Sequence, residues 1–384
     1  MAEITFWVAV GLVFYAYIGY PLALLLLSRV YSREAKQAGE GRFTPSVSFI
    51  IAVHNEEERI RSKIENTLAQ DYPRHLLEII VASDCSTDCT DGIVEEYSEQ
   101  VRLVRALERR GKEAAQELAV RAARGDILIF SDAATAIAPY GISRIVRNFS
   151  DPTVGCVSSI DRSIDGDTIA GESAYVRYEM FLRTLETRVC GVVGLSGSFF
   201  AARREVCRRW AADRQSDFNT VLRAAAVGLR SVLDQESVGY YRNVADPARE
   251  FQRKVRTVVR GMAVLASNLR LLNPFRYGLF AWELASHKLC RWLVPLAMIA
   301  ALLLNVVLFA RSPLYQVMLI LQLSFYAAAL VGVWTGARAL RLPAFLCVAN
   351  AAVLTAWLRF LRGDRFVSWN PSHRIGSLPS VGSR

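Results

Sequence analysis

The stretch LEIIVASDCSTDCTDG, from Leu77 to Gly92, begins as an apolar run and ends abruptly in Asp, Ser, Thr and Cys side chains. An apolar run of this length is typical of a strand that is buried on both faces of a parallel sheet. Open α/β sheets bind their ligands beyond the carboxyl ends of the strands. The stretch therefore predicts a buried strand that ends at a binding site.

The same pattern recurs between residues 46 and 250. Apolar runs alternate there with charged amphipathic stretches, which predict strands and helices in turn. This alternation predicts an α/β domain whose mostly parallel sheet is covered by helices on both faces. The predicted strands are Val47–Val53, Leu77–Ser83, Val101–Leu107 and Asp126–Asp132, and the predicted helices are Glu57–Gln70 and Lys112–Ala123.

The composition of the 384-residue chain indicates a membrane protein. The chain is 52% hydrophobic, with a net charge of +10 and a mean hydropathy of +0.22. The positive charge favours an anionic membrane face or phosphorylated substrates. No compact basic module is apparent, so nucleic acid is not expected as a partner. Cys85 and Cys89 have no second Cys/His pair at zinc-ligand spacing, and we interpret them as free thiols.

Several segments have the length and apolar character needed to cross a bilayer, which takes about 20 residues. Residues 1–28 are the first such segment, and residues 29–45 are a polar linker. Residues 251–288 mix arginine with apolar residues at helical spacing, which suits helices in the headgroup plane; an ordinary surface helix is the alternative. Residues 289–361 hold two or three further spans, and residues 362–384 form a tail.

Charges beside the first span predict its orientation. Arg29, Arg33 and Lys36 follow it, whereas only Glu3 precedes it. The positive-inside rule then places the N-terminus outside and the α/β domain in the cytoplasm, in a multi-pass protein of the inner (plasma) membrane. A full span at residues 343–361 would place the tail outside, whereas a segment that re-enters or lies flat would keep it in the cytoplasm.

Polar groups follow four of the predicted strands. The stretches SVSFIIAVHNEEE, IIVASDCSTDCT, RRGKEAAQ and DILIFSDAAT, in this order and spacing, resemble those of inverting family 2 glycosyltransferases. The membrane-embedded chitin, hyaluronan and cellulose synthases are the most similar group in layout. The resemblance implies the GT-A fold, which is Rossmann-like with a mostly parallel sheet, and a nucleotide-sugar donor.

The resemblance assigns donor binding to the polar strand ends. Asp84 matches the acid that accepts a hydrogen bond from the base ring, which favours uracil and hence a UDP-sugar. Cys85 stands where the family has glycine, so we expect a turn without positive φ there, or with strain. FQRKVRT is the nearest match to the QxxRW motif of processive synthases and lacks its Trp. The expected nucleotide-sugar-binding residues are Ala52, His54, Asn55, Glu56, Asp84, Lys112, Asp132, Arg253 and Arg256.

The resemblance also implies a metal ligand, a base and an acceptor loop. FSDAAT matches the DxD region, which implies Mg²⁺ or Mn²⁺ on the donor diphosphate. Asp132 is the only clear carboxylate there and is the expected metal ligand. Asp217 matches the general base that deprotonates the acceptor hydroxyl. The loop that begins GLSGS is expected to lie against the acceptor through Gly194, Ser196 and Gly197.

The expected activity is inverting transfer of a hexosyl or N-acetylhexosaminyl group to a lipid-linked or growing glycan in polysaccharide biosynthesis. The lipid bilayer and polysaccharide export proteins are the expected partners. One alternative is a polyprenyl-phosphate glycosyltransferase, whose ionised acceptor needs no general base. A second alternative is a non-catalytic scaffold of an export complex, motivated by the incomplete DxD and the missing Trp.

Overall fold

The computed structural model describes residues 1–31, 43–164, 172–242 and 246–364. Most of the predicted linker, and the predicted tail after residue 364, lie outside these ranges. The strands are β1 (Val47–Val53), β2 (Leu77–Ser83), β3 (Val101–Arg105), β4 (Ile127–Asp132), β5 (Ala136–Ile137), β6 (Val154–Ser163), β7 (Phe199–Arg203) and β8 (Arg230–Tyr241). The helices are α1 (Ala2–Phe14), α2 (Tyr20–Val30), α3 (Glu57–Leu68), α4 (Thr90–Glu95), α5 (Lys112–Ala122), α6 (Gly141–Arg147), α7 (Glu172–Val189), α8 (Arg204–Cys207), α9 (Ser216–Ala226), α10 (Pro247–Ala266), α11 (Pro274–Leu284), α12 (Arg291–Leu308), α13 (Pro313–Thr335) and α14 (Arg341–Leu361).

One eight-stranded sheet forms the centre of the α/β domain, in the order β3-β2-β1-β4-β7-β6-β8-β5. Strands β3, β2, β1 and β4 run parallel to one another, whereas β7 is antiparallel to both β4 and β6. The sheet confirms the prediction of a mostly parallel α/β fold. Strands β1 and β2 match their predicted bounds at both ends, and β3 ends two residues earlier than predicted.

Strand β1 shows why this part of the chain forms the middle of the sheet. All seven of its residues are buried. Phe49 and Ile51 pack into one core with Ile60 of α3, whereas Ile50 packs on the other face with Ala115 of α5. Successive side chains of a strand point to opposite faces, so an unbroken apolar run supplies both cores. Each such large side chain stabilises the fold by about 1.5–3 kcal/mol through its burial.

Four helices are long and apolar enough to cross a membrane by length and composition. Helix α11 continues through a π-helical turn, Ala285–Cys290, into α12, after a bend at Gly278, whose φ is 53°. The second of these helices therefore begins at Pro274, within the segment predicted to be interfacial. The four are Ala2–Val30, Pro274–Leu308, Pro313–Thr335 and Arg338–Leu361.

Gly125 allows close approach between the chain entering β4 and the start of β1. A Cβ atom at this position would lie 2.4 Å from the backbone nitrogen of Ser48. We expect Gly125→Ala to destabilise the fold by roughly 1–3 kcal/mol, because backbone atoms must shift to admit the methyl group. Thermal unfolding of the full chain in detergent would measure the change. The control is Gly92→Ala in α4, where nothing lies within 4 Å of the added Cβ; an equal loss in both variants would contradict the prediction.

Candidate active site

The polar residues that follow β1, β2 and β4 lie together at one edge of the sheet. The parallel register pairs Val53 with Ser83 and Ala52 with Asp132, so the three strands end at nearly the same level. This is the edge at which open α/β sheets bind ligands. Ala52 itself is buried in the sheet, with only its backbone near this edge.

Asp84 anchors the loop that leads into α5. Its Oδ1 accepts a hydrogen bond from the Arg110 backbone nitrogen at 2.8 Å, and its Oδ2 accepts one from Gly111 at 2.8 Å. The residue is fully buried. Gly111 has a φ of 97°, which favours glycine, and Lys112 begins α5 immediately afterwards. Both oxygens of Asp84 are thus engaged in positioning Lys112, in addition to any role at a nucleobase.

The turns after β1 and β2 support each other through backbone contacts. His54 Nδ1 lies 2.8 Å from the carbonyl oxygen of Asp84, and the Thr87 backbone nitrogen donates to Asn55 Oδ1 at 2.8 Å. Asn55 and Cys85 both have positive φ, of 53° and 56°. Asn tolerates this conformation, whereas for other L-residues it costs roughly 1–2 kcal/mol. Of the two expectations for the turn at Cys85, the structure shows the strained one.

Glu56 is the N-cap residue of α3 and is almost fully buried. Its carboxylate pairs with Arg59 at 2.8 Å, and its backbone nitrogen donates to the Thr90 hydroxyl at 2.8 Å. Burying a carboxylate is tolerated where a paired cation and hydrogen bonds offset the lost hydration. Glu56 thus ties the first turn of α3 to α4, at the floor of the predicted nucleoside site.

Lys112 joins the metal, acceptor and base regions predicted from the sequence. Its ammonium donates hydrogen bonds to Asp132 Oδ1 and, at 3.1 Å, to the carbonyl oxygen of Gly197. A Cβ atom on Gly197 would lie 3.0 Å from Asp217 Oδ2, so the Asp217 carboxylate lies against this glycine. Burial alone would lower the pKa of Lys112, but the carboxylates of Asp132, Glu113 and Asp217 together outweigh that effect and the pKa is raised.

Asp217 lies in the first turn of α9. Its Oδ1 accepts from the Phe218 backbone nitrogen at 2.8 Å, and its Oδ2 accepts from Gln215 Nε2 at 3.2 Å. Burial raises the pKa of Asp217, while the charges of Lys112 and Arg260 act in the opposite direction. A carboxylate with a raised pKa is a better proton acceptor, which suits a general base.

The predicted acceptor loop is hydrogen-bonded to β6. The Ser196 backbone nitrogen donates to Ser158 Oγ at 2.8 Å, and its hydroxyl donates to Asp161 at 2.7 Å. Gly194 lies at the other end of the loop, beside Lys288 of the π-helical turn. The loop is therefore fixed between β6 and a candidate membrane helix.

Arginines of α10 line the side of the site near Glu113. Arg253 makes two 2.7 Å contacts with Glu250 one turn earlier. Burial lowers the pKa of Arg256, and the charges of Arg260 and Arg253 lower it further, which indicates a concentration of positive charge. Arg260 pairs with Glu113 at 2.5 Å. Guanidinium groups in such a cluster suit phosphate oxygens.

Two cations of the site were missed in the sequence. Arg260 could have been found, because it lies four residues after Arg256 and so on the same helical face. Lys63 carries no sequence signal: it is fully buried in α3 and donates to Ser131 Oγ at 2.7 Å and to the Thr135 carbonyl at 2.6 Å. Burial lowers the pKa of Lys63 to about 7. Through these two hydrogen bonds Lys63 connects α3 to the end of β4.

The residues present supply one carboxylate for a metal ion. Within the described ranges, no group of three or more His, Cys, Asp or Glu side chains could share a metal. Sites for Mg²⁺ at phosphates use one or two carboxylates plus phosphate oxygens and water. Asp132 therefore fits an ion that arrives with the donor diphosphate, provided that Lys112 releases its contact.

Comparisons with known proteins agree with this fold. A mannosyltransferase from Pyrobaculum calidifontis, solved with GDP-Man and Mn²⁺, superposes with a TM-score of 0.73 over 95% of this chain and 100% of its own, at 23% identity. The fold is thus the GT-A fold of glycosyltransferases. The profile of Glycosyl transferase family 2 matches residues 48–210. The chain contains a family 2 glycosyltransferase domain, which confirms the resemblance found in its motifs.

Curated relatives match part of the chain at low to moderate identity. The dolichyl-phosphate beta-glucosyltransferase of Drosophila melanogaster is 36% identical over 23% of this chain and 30% of its own length. The poly-beta-1,6-N-acetyl-D-glucosamine synthase of Staphylococcus aureus is 29% identical over 40% of this chain and 38% of its own length. The chain spans about a third of the length of the curated relatives it matches.

The two hydrogen bonds of Asp84 generate a prediction about stability. Asp84→Asn replaces one acceptor oxygen by an NH₂ group that faces a backbone N–H, and leaving a buried donor unpaired costs about 1–3 kcal/mol. We expect a lower midpoint of thermal unfolding and faster proteolysis around residues 109–112. The exposed Asp213→Asn is the control. An unchanged midpoint for Asp84→Asn would show that its carboxylate does not hold this loop.

Proposed function

We propose that this chain is a membrane-bound inverting glycosyltransferase that moves a sugar from a nucleotide-sugar to a hydroxyl group of a lipid-linked or growing glycan in polysaccharide biosynthesis. The observation that carries the proposal is the convergence of Asp217, Lys112 and Asp132 around Gly197 at the ligand-binding edge of the sheet. A base and a diphosphate-binding cation at one place are what such a transfer requires.

The chain's residues suggest how the transfer proceeds. The acceptor hydroxyl gives its proton to Asp217 as its oxygen bonds to the anomeric carbon, and the bond from that carbon to the donor diphosphate breaks on the opposite side. The diphosphate leaves with the bonding electron pair, and Lys112 and Arg256 offset its charge. Asp132 would hold a divalent ion on the diphosphate, which would add further charge compensation when bound. Mg²⁺ and Mn²⁺ both suit a carboxylate oxygen.

A UDP-linked donor is the more specific assignment. It rests on Asp84, each of whose oxygens retains a lone pair beyond its contact with a backbone nitrogen. A GDP-linked donor is the competing assignment, because the fold neighbour was solved with GDP-Man. Equilibrium binding of UDP and GDP to the full chain would separate the two.

The four long apolar helices support attachment to the inner membrane with the transferase domain on the cytoplasmic side. Nucleotide-sugars would reach this side directly. Polysaccharide export proteins are proposed as further partners, since a glycan assembled there has to cross the membrane.

The first alternative is a polyprenyl-phosphate glycosyltransferase, and the dolichyl-phosphate glucosyltransferase relative favours it. Asp217 favours the hydroxyl acceptor, because an ionised phosphate has no proton to lose. The second alternative, a non-catalytic scaffold, is motivated by the single carboxylate at Asp132. Metal-dependent release of nucleoside diphosphate from a nucleotide-sugar by the purified chain would exclude it.

Asp217→Asn separates hydroxyl from phosphate acceptors. We expect transfer to fall by about 10²-fold or more, because removal of a general base typically costs 10²–10⁴ in rate, while nucleotide binding stays unchanged. The measurement is product formation in nanodiscs across a panel of UDP- and GDP-sugars. Asp213→Asn, exposed in the preceding loop, is the matched control. Near-normal turnover by Asp217→Asn would sink the hydroxyl-acceptor assignment.

The charge of Arg260 predicts a shift in the pH dependence of transfer. Asp217 must be ionised to act as a base, so activity is lost as the pH falls through its raised pKa. The Arg260 cation favours the ionised form, and its removal raises the pKa of Asp217 further. We expect Arg260→Met to move the acid limb of kcat/KM to higher pH. The exposed Arg249→Met on the same helix should leave the limb in place; a shift to lower pH in Arg260→Met would contradict the assignment.

A further inference from the structure

Lys288 is a cation without an ion-pair partner at the predicted acceptor loop. It lies in the π-helical turn of the candidate membrane helix Pro274–Leu308 and is half-buried. Among the residues that the structure describes, none forms a hydrogen bond or salt bridge with its ammonium. A half-buried ammonium that lacks a carboxylate partner is costly, and the cost falls when an anion binds beside it.

The charged groups around Lys288 are already paired with one another. His287 lies between two carboxylates, with Nδ1 at 2.5 Å from Glu186 and Nε2 at 2.8 Å from Glu179. Arg291 pairs with Glu179 at 2.7 Å, and the Tyr20 hydroxyl donates to Glu186 at 2.6 Å. These contacts leave Lys288 as the cation of this helix turn that is available to a ligand.

Lys288 faces the place where the acceptor is proposed to bind. A Cβ atom on Gly194 would lie 3.2 Å from its Nζ, and the Nζ is 5.4 Å from the centroid of the Phe218 ring. Phe218 follows the proposed base Asp217, with which Lys288 also interacts electrostatically. Lys288 thus lies beside Gly194, and Asp217 lies beside Gly197. The three-residue step between these two glycines spans at most about 11 Å.

An apolar cavity of about 490 Å³ lies among the candidate membrane helices. Tyr17 lines it, and the Tyr17 carbonyl accepts a hydrogen bond from the Tyr178 hydroxyl of α7 at 2.8 Å. The Tyr178 ring in turn lies 5.3 Å from the guanidinium of Arg291, one turn from Lys288. Tyr17, Tyr178 and Arg291 thus connect the lining of the cavity to the helix turn that carries Lys288. Among its other lining residues are Met298, Met318, Phe325, Tyr326 and Asn350.

We propose that Lys288 binds the phosphate group of a lipid-linked acceptor, whose hydrocarbon chain occupies the cavity and whose sugar hydroxyl faces Asp217. The proposal rests on the proposed function and narrows its acceptor from any growing glycan to one carried on a lipid phosphate or diphosphate. Lys288 is then a specificity residue for the acceptor, separate from the cations that face the donor.

The test uses farnesyl diphosphate as the probe, because it combines an isoprenyl chain with a diphosphate. Its dissociation constant is measured for the full chain in phosphatidylcholine nanodiscs, which requires no turnover and so does not depend on the donor or on catalysis. We expect Lys288→Met to weaken binding by about ten-fold or more, since a hydrogen bond to a charged group is removed. Lys288→Arg should stay within about three-fold of the unaltered chain, because guanidinium also binds phosphate.

Three controls locate the probe. Lys112→Met removes the proposed donor-site cation and should leave the dissociation constant unchanged, as should Lys254→Met on α10. Farnesol should bind Lys288→Met and the unaltered chain equally. Thermal unfolding verifies that each variant folds, and Lys288→Gln, which keeps a polar side chain, replaces Lys288→Met if that variant unfolds.

Four results would overturn the proposal. Equal binding of farnesyl diphosphate by Lys288→Met and the unaltered chain would make Lys288 a structural residue. A loss in Lys112→Met instead would place the probe in the donor site. Inorganic pyrophosphate binding as tightly as farnesyl diphosphate would indicate a site for free anions, and displacement of the probe by phosphatidylglycerol in the nanodisc would indicate a bilayer headgroup site.

Discussion

The site depends on the hydrogen bonds that the ammonium group of Lys112 donates. It lies between the end of β4, through Asp132, and the acceptor loop, through the Gly197 carbonyl. Asp84 places it by fixing the preceding loop. Two carboxylates, Asp132 and Asp217, interact with this one cation, and without it each would lose part of the positive charge that offsets its burial. The same lysine that stabilises the site is the one that we propose receives the donor diphosphate.

Two lysines lie near Asp132, the single carboxylate that is predicted to bind a metal ion at this edge of the sheet. Lys112 pairs with Asp132 from the ligand side, and Lys63 lies behind the strand, bonded to Ser131 and the Thr135 carbonyl. Ser131, which immediately precedes Asp132, is the hydrogen-bond partner of that buried lysine. Diphosphate oxygens that displace Lys112 from Asp132 would therefore free the carboxylate at the moment when a metal ion is required.

The sequence predicted the parallel half of the sheet well and the remainder poorly. Strands β1 and β2 are mostly apolar runs that are buried along most of their length, a pattern with little ambiguity. Strands β6 and β8 mix polar and apolar residues and pair with distant strands, so their positions depend on long-range contacts. The roles of Lys63 and Lys288 depend in the same way on packing between distant elements. The family pattern correctly placed Cys85 in the turn. The positive φ of Cys85 could be seen only in the folded structure.

The transferase domain and the membrane helices are joined through buried charge. Glu186 of α7 meets His287 and Tyr20, which belong to two different candidate membrane helices. Breaking one member of such a buried network leaves a charge uncompensated, at a cost of about 3–5 kcal/mol. Because α7 leads directly into the acceptor loop, this network fixes the distance between that loop and the membrane helices. The predicted acceptor loop and the candidate membrane helices therefore depend on the same few contacts for their relative position.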